Sequence, residues 1–181
     1  GTSTGGPRAL HEVLSRIPDG LNAALFIVQH MPPGFTKSLA QRLDSISSLT
    51  VKEAEEGEEV KSGFAYIAPG DYHMEVLPKQ NKLLIHLHQG PNVNGHRPSV
   101  DVLMHSVAMI GAPKVGVIMT GMGQDGAQGM LALKKAGAIN IGESSATCVV
   151  YGMPKAARQL GAIDYEVPVQ EIAERIVQAL R

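Results

Sequence analysis

The sequence predicts an α/β fold: a doubly wound, mostly parallel sheet with helices on both faces and an antiparallel β-hairpin. Three observations predict it. Short aliphatic runs such as Ala24-Leu25-Phe26-Ile27-Val28 read as strands buried on both faces. They alternate with segments whose apolar residues recur at helical spacing, which implies parallel pairing through right-handed crossovers. In the middle, His73 to Leu77 and Lys82 to His88 flank Pro78-Lys79-Gln80-Asn81, the pattern of a hairpin.

Each element has its own signal. A helix opens at Pro7, a residue suited to a first helical position. Leu10, Val13, Leu14 and Ile17 then share one face, and Pro18-Asp19-Gly20 stops it. The strand at 24–28 follows. Phe35 to about Ile46 reads as a helix with Phe35, Leu39, Leu43 and Ile46 on one side. Phe64 to Ala68 is a strand, and the hairpin comes next. Ser99 is placed to cap a helix running to about Ile110. Lys114 to Thr120 reads as a strand, Ala127 to Ala136 as a helix, and Ala138 to Ile141 as a short strand. A helix after Pro154 and an amphipathic one over Val169 to Leu180 complete the chain.

Composition narrows the class. A chain of 181 residues suits one domain, 1–181, with a sizeable core. Lys plus Arg is 16 and Asp plus Glu is 17, so no basic nucleic-acid footprint is expected. No apolar run approaches the ~20 residues that span a bilayer, so no membrane insertion is expected. A single cysteine, Cys148, allows no internal disulfide and fits a reducing compartment. With 3 Phe, 4 Tyr and no Trp, the core must be aliphatic, and the 8 Met are its adaptable filler. The 20 glycines cluster where strands end, which is where such folds bind ligands.

Three loops carry candidate chemistry. Gly1-Thr2-Ser3-Thr4-Gly5 matches G-x-S-x-G with a helix directly after it. That places Ser3 as a nucleophile on a sharp turn and the Thr4 N–H as an oxyanion donor. A phosphate cradle and a plain helix cap are the other readings. No strand is legible before the turn, where such an elbow needs one. His30 closes the 24–28 strand and can serve as a base, or simply bond loop backbone. Asp125, in Gly121-Met122-Gly123-Gln124-Asp125-Gly126, can accept from His30 Nδ1–H and fix its tautomer. Its other reading is a cap for the 127–136 helix. The Met122 N–H can complete the oxyanion hole. The chain order Ser, His, Asp is not that of an α/β-hydrolase. A nucleotide- or phosphate-binding domain using the first loop, and a non-catalytic interaction module, are the competing classes.

Other polar residues read more plainly. His86 and His88 share a strand face without a third ligand, so no metal site is expected. His73 and His105 read as structural, His105 mid-helix. Cys148 reads as a small buried residue, and the acidic run from Glu53 to Glu59 as a solvated turn. Arg97 is a weak candidate for substrate contact, with a structural ion pair as its alternative.

The segments GTSTGGP, QHMPPGFTKSLAQRLD, AYIAPGDYHM, HRPSVDVLMHSVA, GVIMTGMGQDGAQGM and ATCVVYGMPKAA together resemble the catalytic domain of the CheB family. These are the protein-glutamate methylesterases of bacterial chemotaxis. The likeness runs from residue 1 to about residue 161. It implies a Ser3-His30-Asp125 triad and an oxyanion hole from the Thr4 and Met122 main chain, with no cofactor. It implies hydrolysis of glutamate γ-methyl esters on the cytoplasmic domain of chemoreceptors, with deamidation of receptor glutamines as a second activity. It implies a cytoplasmic location and an N-terminal phosphorylated receiver domain. This sequence is too short to hold such a receiver, so it reads as an isolated catalytic domain.

Overall fold

Aliphatic runs and amphipathic helices alternate in the folded chain as their periodicity requires. The computed structural model describes residues 1–181. Its strands are β1 (Leu25–Ile27), β2 (Thr50–Glu53), β3 (Phe64–Ile67), β4 (His73–Lys79), β5 (Lys82–His88), β6 (Val115–Ile118), β7 (Ile139–Glu143) and β8 (Tyr165–Val167). Its helices are α1 (Gly6–Leu14), α2 (Phe35–Asp44), α3 (Val100–Ala108), α4 (Ala127–Lys135), α5 (Met153–Gln159) and α6 (Val169–Ala179).

Two parallel sheets, ordered β1-β3-β2 and β6-β7-β8, carry the frame, and β4 and β5 form the antiparallel hairpin. The first residues of the chain join the two sheets. Thr2 N–H donates to Val28 O at 3.0 Å, and His30 N–H donates to Thr2 O at 3.3 Å. On the other side Ser3 N–H donates to Thr120 O and Met119 N–H to Gly1 O, both at 2.9 Å. The strand expected before Ser3 is therefore represented by Gly1-Thr2-Ser3, lying between β1 and β6. This corrects the reading that it is missing. The chain winds away from this position toward β1 on one side and β6 on the other, the kind of divergence at which such folds bind ligands.

Each face of the sheet has its own aliphatic layer. Leu10, Val13 and Leu14 of α1, Leu39 and Leu43 of α2, and Ile172 and Ile176 of α6 pack together on one side. Met74, Val76 and Ile85 of the hairpin pack with Leu103 of α3, Met130 and Leu133 of α4 and Met153 of α5 on the other. Full burial of such a side chain is worth about 1.5–3 kcal/mol, so these two layers dominate the folding energy.

Several local expectations are revised. β2 and β8 have no counterpart among the expected strands. They are short and sit at the two outer edges of the parallel sheets, where polar residues such as Lys52 and Glu166 are tolerated and no apolar run marks them. The acidic run accordingly begins inside a strand, and Glu53 accepts from Thr36 Oγ1 at 2.7 Å. Phe35 is 59% exposed because α2 buries Thr36, Leu39, Ala40 and Leu43 instead. Ser99 occupies the N-cap of α3, but its hydroxyl makes no cap bond and goes to Asp125.

Candidate active site

Register at the centre of the sheet brings Ser3 and His30 together. Thr2 lies opposite Gln29 in parallel register, and their side chains hydrogen-bond to each other, Thr2 Oγ1 donating to Gln29 Oε1. Successive side chains on a strand point to opposite faces, so Ser3 and His30 share the other face. Their backbones are neighbours at the ~4.8 Å strand spacing. The chain then turns sharply: Gly6 N–H donates to Ser3 O at 2.8 Å, and α1 starts at Gly6. Gly5 takes the left-handed conformation this turn needs, with φ 82, while Ser3 itself has no positive φ. Gln29 Nε2 donates to Ser3 O at 3.0 Å, and Thr120 Oγ1 donates to Thr4 O at 2.8 Å. Gly121 is pressed against the turn, where a Cβ would lie 2.9 Å from Ser3 Cβ.

This turn is pinned through its carbonyls, and the Thr4 N–H at its tip is left open. The Ser3 hydroxyl bonds no protein group. Neither the Thr4 nor the Met122 N–H donates to a protein acceptor. Met122 is 66% exposed, on the open side of the β6 loop.

The acid end is built the opposite way. Asp125 is 1% exposed and accepts five hydrogen bonds. His30 Nε2 reaches Oδ2 at 2.7 Å, and Val100 N–H donates to the same oxygen at 2.8 Å. Ser99 Oγ at 2.7 Å, Asn94 Nδ2 at 3.0 Å and Asp101 N–H at 3.1 Å all donate to Oδ1. Burial alone would raise the Asp125 pKa. The bonds from His30, Val100, Asn94 and Ser99 outweigh it and hold the carboxyl well below the usual range. Asp125 does serve a helix N-terminus, but that of α3, whose first-turn N–H groups it satisfies; the N-cap of α4 is Gly126.

The ionised Asp125 can only accept, so His30 Nε2 carries the hydrogen between them. This corrects the expected orientation, in which Nδ1–H faces the acid. Nδ1 is buried and without a protein partner. An imidazole whose Nδ1 bonds no protein group thus shares a sheet face with an unbonded serine hydroxyl, with the Thr4 and Met122 N–H groups also unbonded. That arrangement can run nucleophilic acyl transfer.

Sequence reasoning missed the supports of this site. Asn94-Gly95 is a two-residue turn with φ 54 and 77, closed by paired Val93–His96 backbone bonds at 3.0 Å. The Asn-Gly dipeptide is a strong signal for such a turn. It places Asn94 on Asp125 and stacks the His96 ring on His30, with centroids 3.6 Å apart and planes 7° off parallel. Burial, then the neighbouring His30, push the His96 pKa down, and Asp125 opposes them. The buried Glu143 accepts from Thr120 N–H at 2.7 Å and so anchors the residue that holds Thr4. Nothing short-range announces Glu143.

The remaining candidates lie in other bonds. Arg97 pairs with Asp71 through Nε at 3.1 Å and Nη2 at 2.6 Å, and its Nη1 donates to the Gln89 and Gly90 carbonyls. It is engaged in the structural ion pair of its alternative reading. His86 faces Glu56 and His88 faces Glu75, each at 3.2 Å. His73 is buried and bonds Pro91 O and Ser99 N–H, and His105 lies in α3. Cys148 is half-buried, not buried as expected. Burial and then Glu143 push its thiol up to about 12, which keeps it protonated.

The sequence matches the profile of CheB methylesterase over residues 1–176. The chain belongs to the CheB methylesterase family. It is 50% identical over 179 residues to the protein-glutamate methylesterase/protein-glutamine glutaminase of Pyrococcus horikoshii, covering 98% of this chain and 49% of that protein. It is 51% identical over 178 residues to the protein of the same name from Salmonella typhimurium, covering 98% of this chain and 51% of that one. The chain therefore spans about half the length of the curated relatives it matches. The crystal structure of the Thermotoga maritima CheB methylesterase catalytic domain superposes with a TM-score of 0.95 at 47% identity, covering 98% of this chain and 94% of that one.

Proposed function

We propose that this CheB-family domain hydrolyses glutamate γ-methyl esters on the cytoplasmic domain of chemoreceptors and releases methanol. Ser3 is the nucleophile, His30 the base through Nδ1, and Asp125 the acid that fixes the tautomer. His30 Nδ1 takes the Ser3 proton as Oγ attacks the ester carbonyl. The Thr4 and Met122 N–H groups receive the oxyanion, each such donor being worth ~3 kcal/mol of barrier. The proton then passes to the departing methoxide, and water repeats the sequence on the acyl-enzyme. An amide nitrogen is a poorer leaving group, so deamidation of receptor glutamines is the slower second activity.

One observation carries this reading: His30 is tied to a buried carboxylate through Nε2, its Nδ1 bonds no protein group, and Thr2–Gln29 register puts it on the same sheet face as Ser3. Family membership and the names of the relatives support the substrate. A cytoplasmic site of action and control by a phosphorylated receiver domain complete the proposal, as the family resemblance implies. No helix is long and apolar enough to cross a membrane. The test is methanol release from a methylated receptor fragment. Wild type is expected to release it and Ser3→Ala to release it ~10⁶-fold more slowly with an unchanged melting temperature; Ser3→Ala near the wild-type rate would contradict the assignment.

A further inference from the structure

We propose that His96 is a positioning residue for His30, its stacked ring setting the plane in which His30 presents Nδ1 to Ser3. This rests on the triad reading above and deepens it. The Asp125 bond anchors His30 at one atom, Nε2, 2.7 Å from Oδ2. With Cγ fixed by its bond to Cβ, the ring can still rock about the line from Cγ to Nε2, and Nδ1 lies off that line, so rocking moves it. The His96 ring lies flat against the His30 face at 3.6 Å and blocks rocking on that side.

His96 is itself fixed relative to the acid. Its backbone closes the Asn94-Gly95 turn with Val93. Asn94 Nδ2 bridges Asp125 Oδ1 at 3.0 Å and Asp101 Oδ2 at 2.8 Å. Arg97, the next residue, is tied to Asp71. The base, its acid and the stacking ring are therefore one unit, built across the turn and the α3 N-terminus.

The chemistry of the stack agrees. His30 becomes an imidazolium during the reaction, and an aromatic face attracts a cation. A second charged imidazole there would oppose it. The charged and titratable groups around His96 are His30 and Asp125, with Arg97 already paired to Asp71. Burial and His30 favour the neutral form of His96. Neither of its ring nitrogens bonds a protein group, so its flat face is what His30 meets.

The experiment measures kcat and KM for methanol release from a methylated receptor fragment with His96→Ala, His96→Phe and Ser3→Ala. Misplacing a reacting group by a fraction of an ångström to an ångström costs ~10- to 100-fold. We expect His96→Ala to lower kcat at least ~10-fold with KM within about twofold of wild type. His96→Phe restores a flat ring without a titratable nitrogen and is expected to stay within about threefold of wild type. If His96→Ala does not fold, His96→Gln replaces it as the variant without a ring. A ringless variant at the wild-type rate, or His96→Phe as slow as the ringless variant, would overturn the role of the stack. Either result beside an inactive Ser3→Ala overturns this inference alone, whereas an active Ser3→Ala overturns the triad beneath it.

Discussion

The two ends of the candidate site are built on opposite principles. At the acid end every hydrogen-bonding position of Asp125 is filled, by donors from the 94–96 turn, from the start of α3 and from His30. At the nucleophile end the carbonyls of Ser3 and Thr4 are pinned, while the Ser3 hydroxyl and the Thr4 and Met122 N–H groups bond nothing in the protein. Thr4 and Met122 are exposed, so water can reach these donors and an incoming oxygen can replace it. Folding itself completes the acid end and leaves the proposed nucleophile end open.

Four substitutions or conditions break this contrast in order of size. Ser3→Ala removes an unbonded hydroxyl, so kcat for methanol release is expected to fall by ~10⁶, the scale of removing a triad nucleophile, while the thermal midpoint stays put. Asp125→Asn strikes both ends of the contrast. It is expected to lower kcat by ~10⁴ through the wrong His30 tautomer. It also turns an amide toward donors that need an acceptor, lowering stability by roughly 2–4 kcal/mol in chemical denaturation. Thr120→Val deletes the hydroxyl that donates to Thr4 O and accepts from Val149 and Val150 N–H. It is expected to cost about 1–3 kcal/mol of stability, with a kcat loss well short of that of Asp125→Asn.

The smallest effect is on acid stability. The Asp125 pKa is lowered in the folded chain relative to an unfolded value of ~3.9. The stabilisation is therefore complete above about pH 4 and drains away as pH falls further toward the folded value. Asp125→Asn lacks this contribution. The stability gap between wild type and Asp125→Asn is expected to be constant from about pH 7 to 5 and to narrow below about pH 4. A gap that widens on acidification would mean that the folded carboxyl is not held low.

Much of this site is legible because its residues sit at strand ends in glycine-rich loops, and a strand end is readable from a short apolar run. Such patterning is local, as the run Ala24 to Val28 shows, and it places His30 at once. The family resemblance then supplies which of several open readings of Ser3, His30 and Asp125 belong together. What could not be read depends on distant chain. The His30 orientation follows from which ring nitrogen meets Asp125, 95 residues away in sequence. The His96 stack needs the 94–96 turn folded back over His30, although Asn94-Gly95 marks the turn itself. β2 and β8 carry three or four residues each at a polar edge, too few for a periodic signal.

The central claim is that Ser3, His30 and Asp125 act as one unit, and a double-substitution cycle tests it most directly. Residues that act together lose their effects together, so the losses do not multiply. Methanol release by wild type, Ser3→Ala, Asp125→Asn and the double variant is the measurement. The double variant is expected to be no slower than Ser3→Ala alone. A double variant slower than Ser3→Ala by the full Asp125→Asn factor would contradict it, because the acid would then be acting apart from the serine.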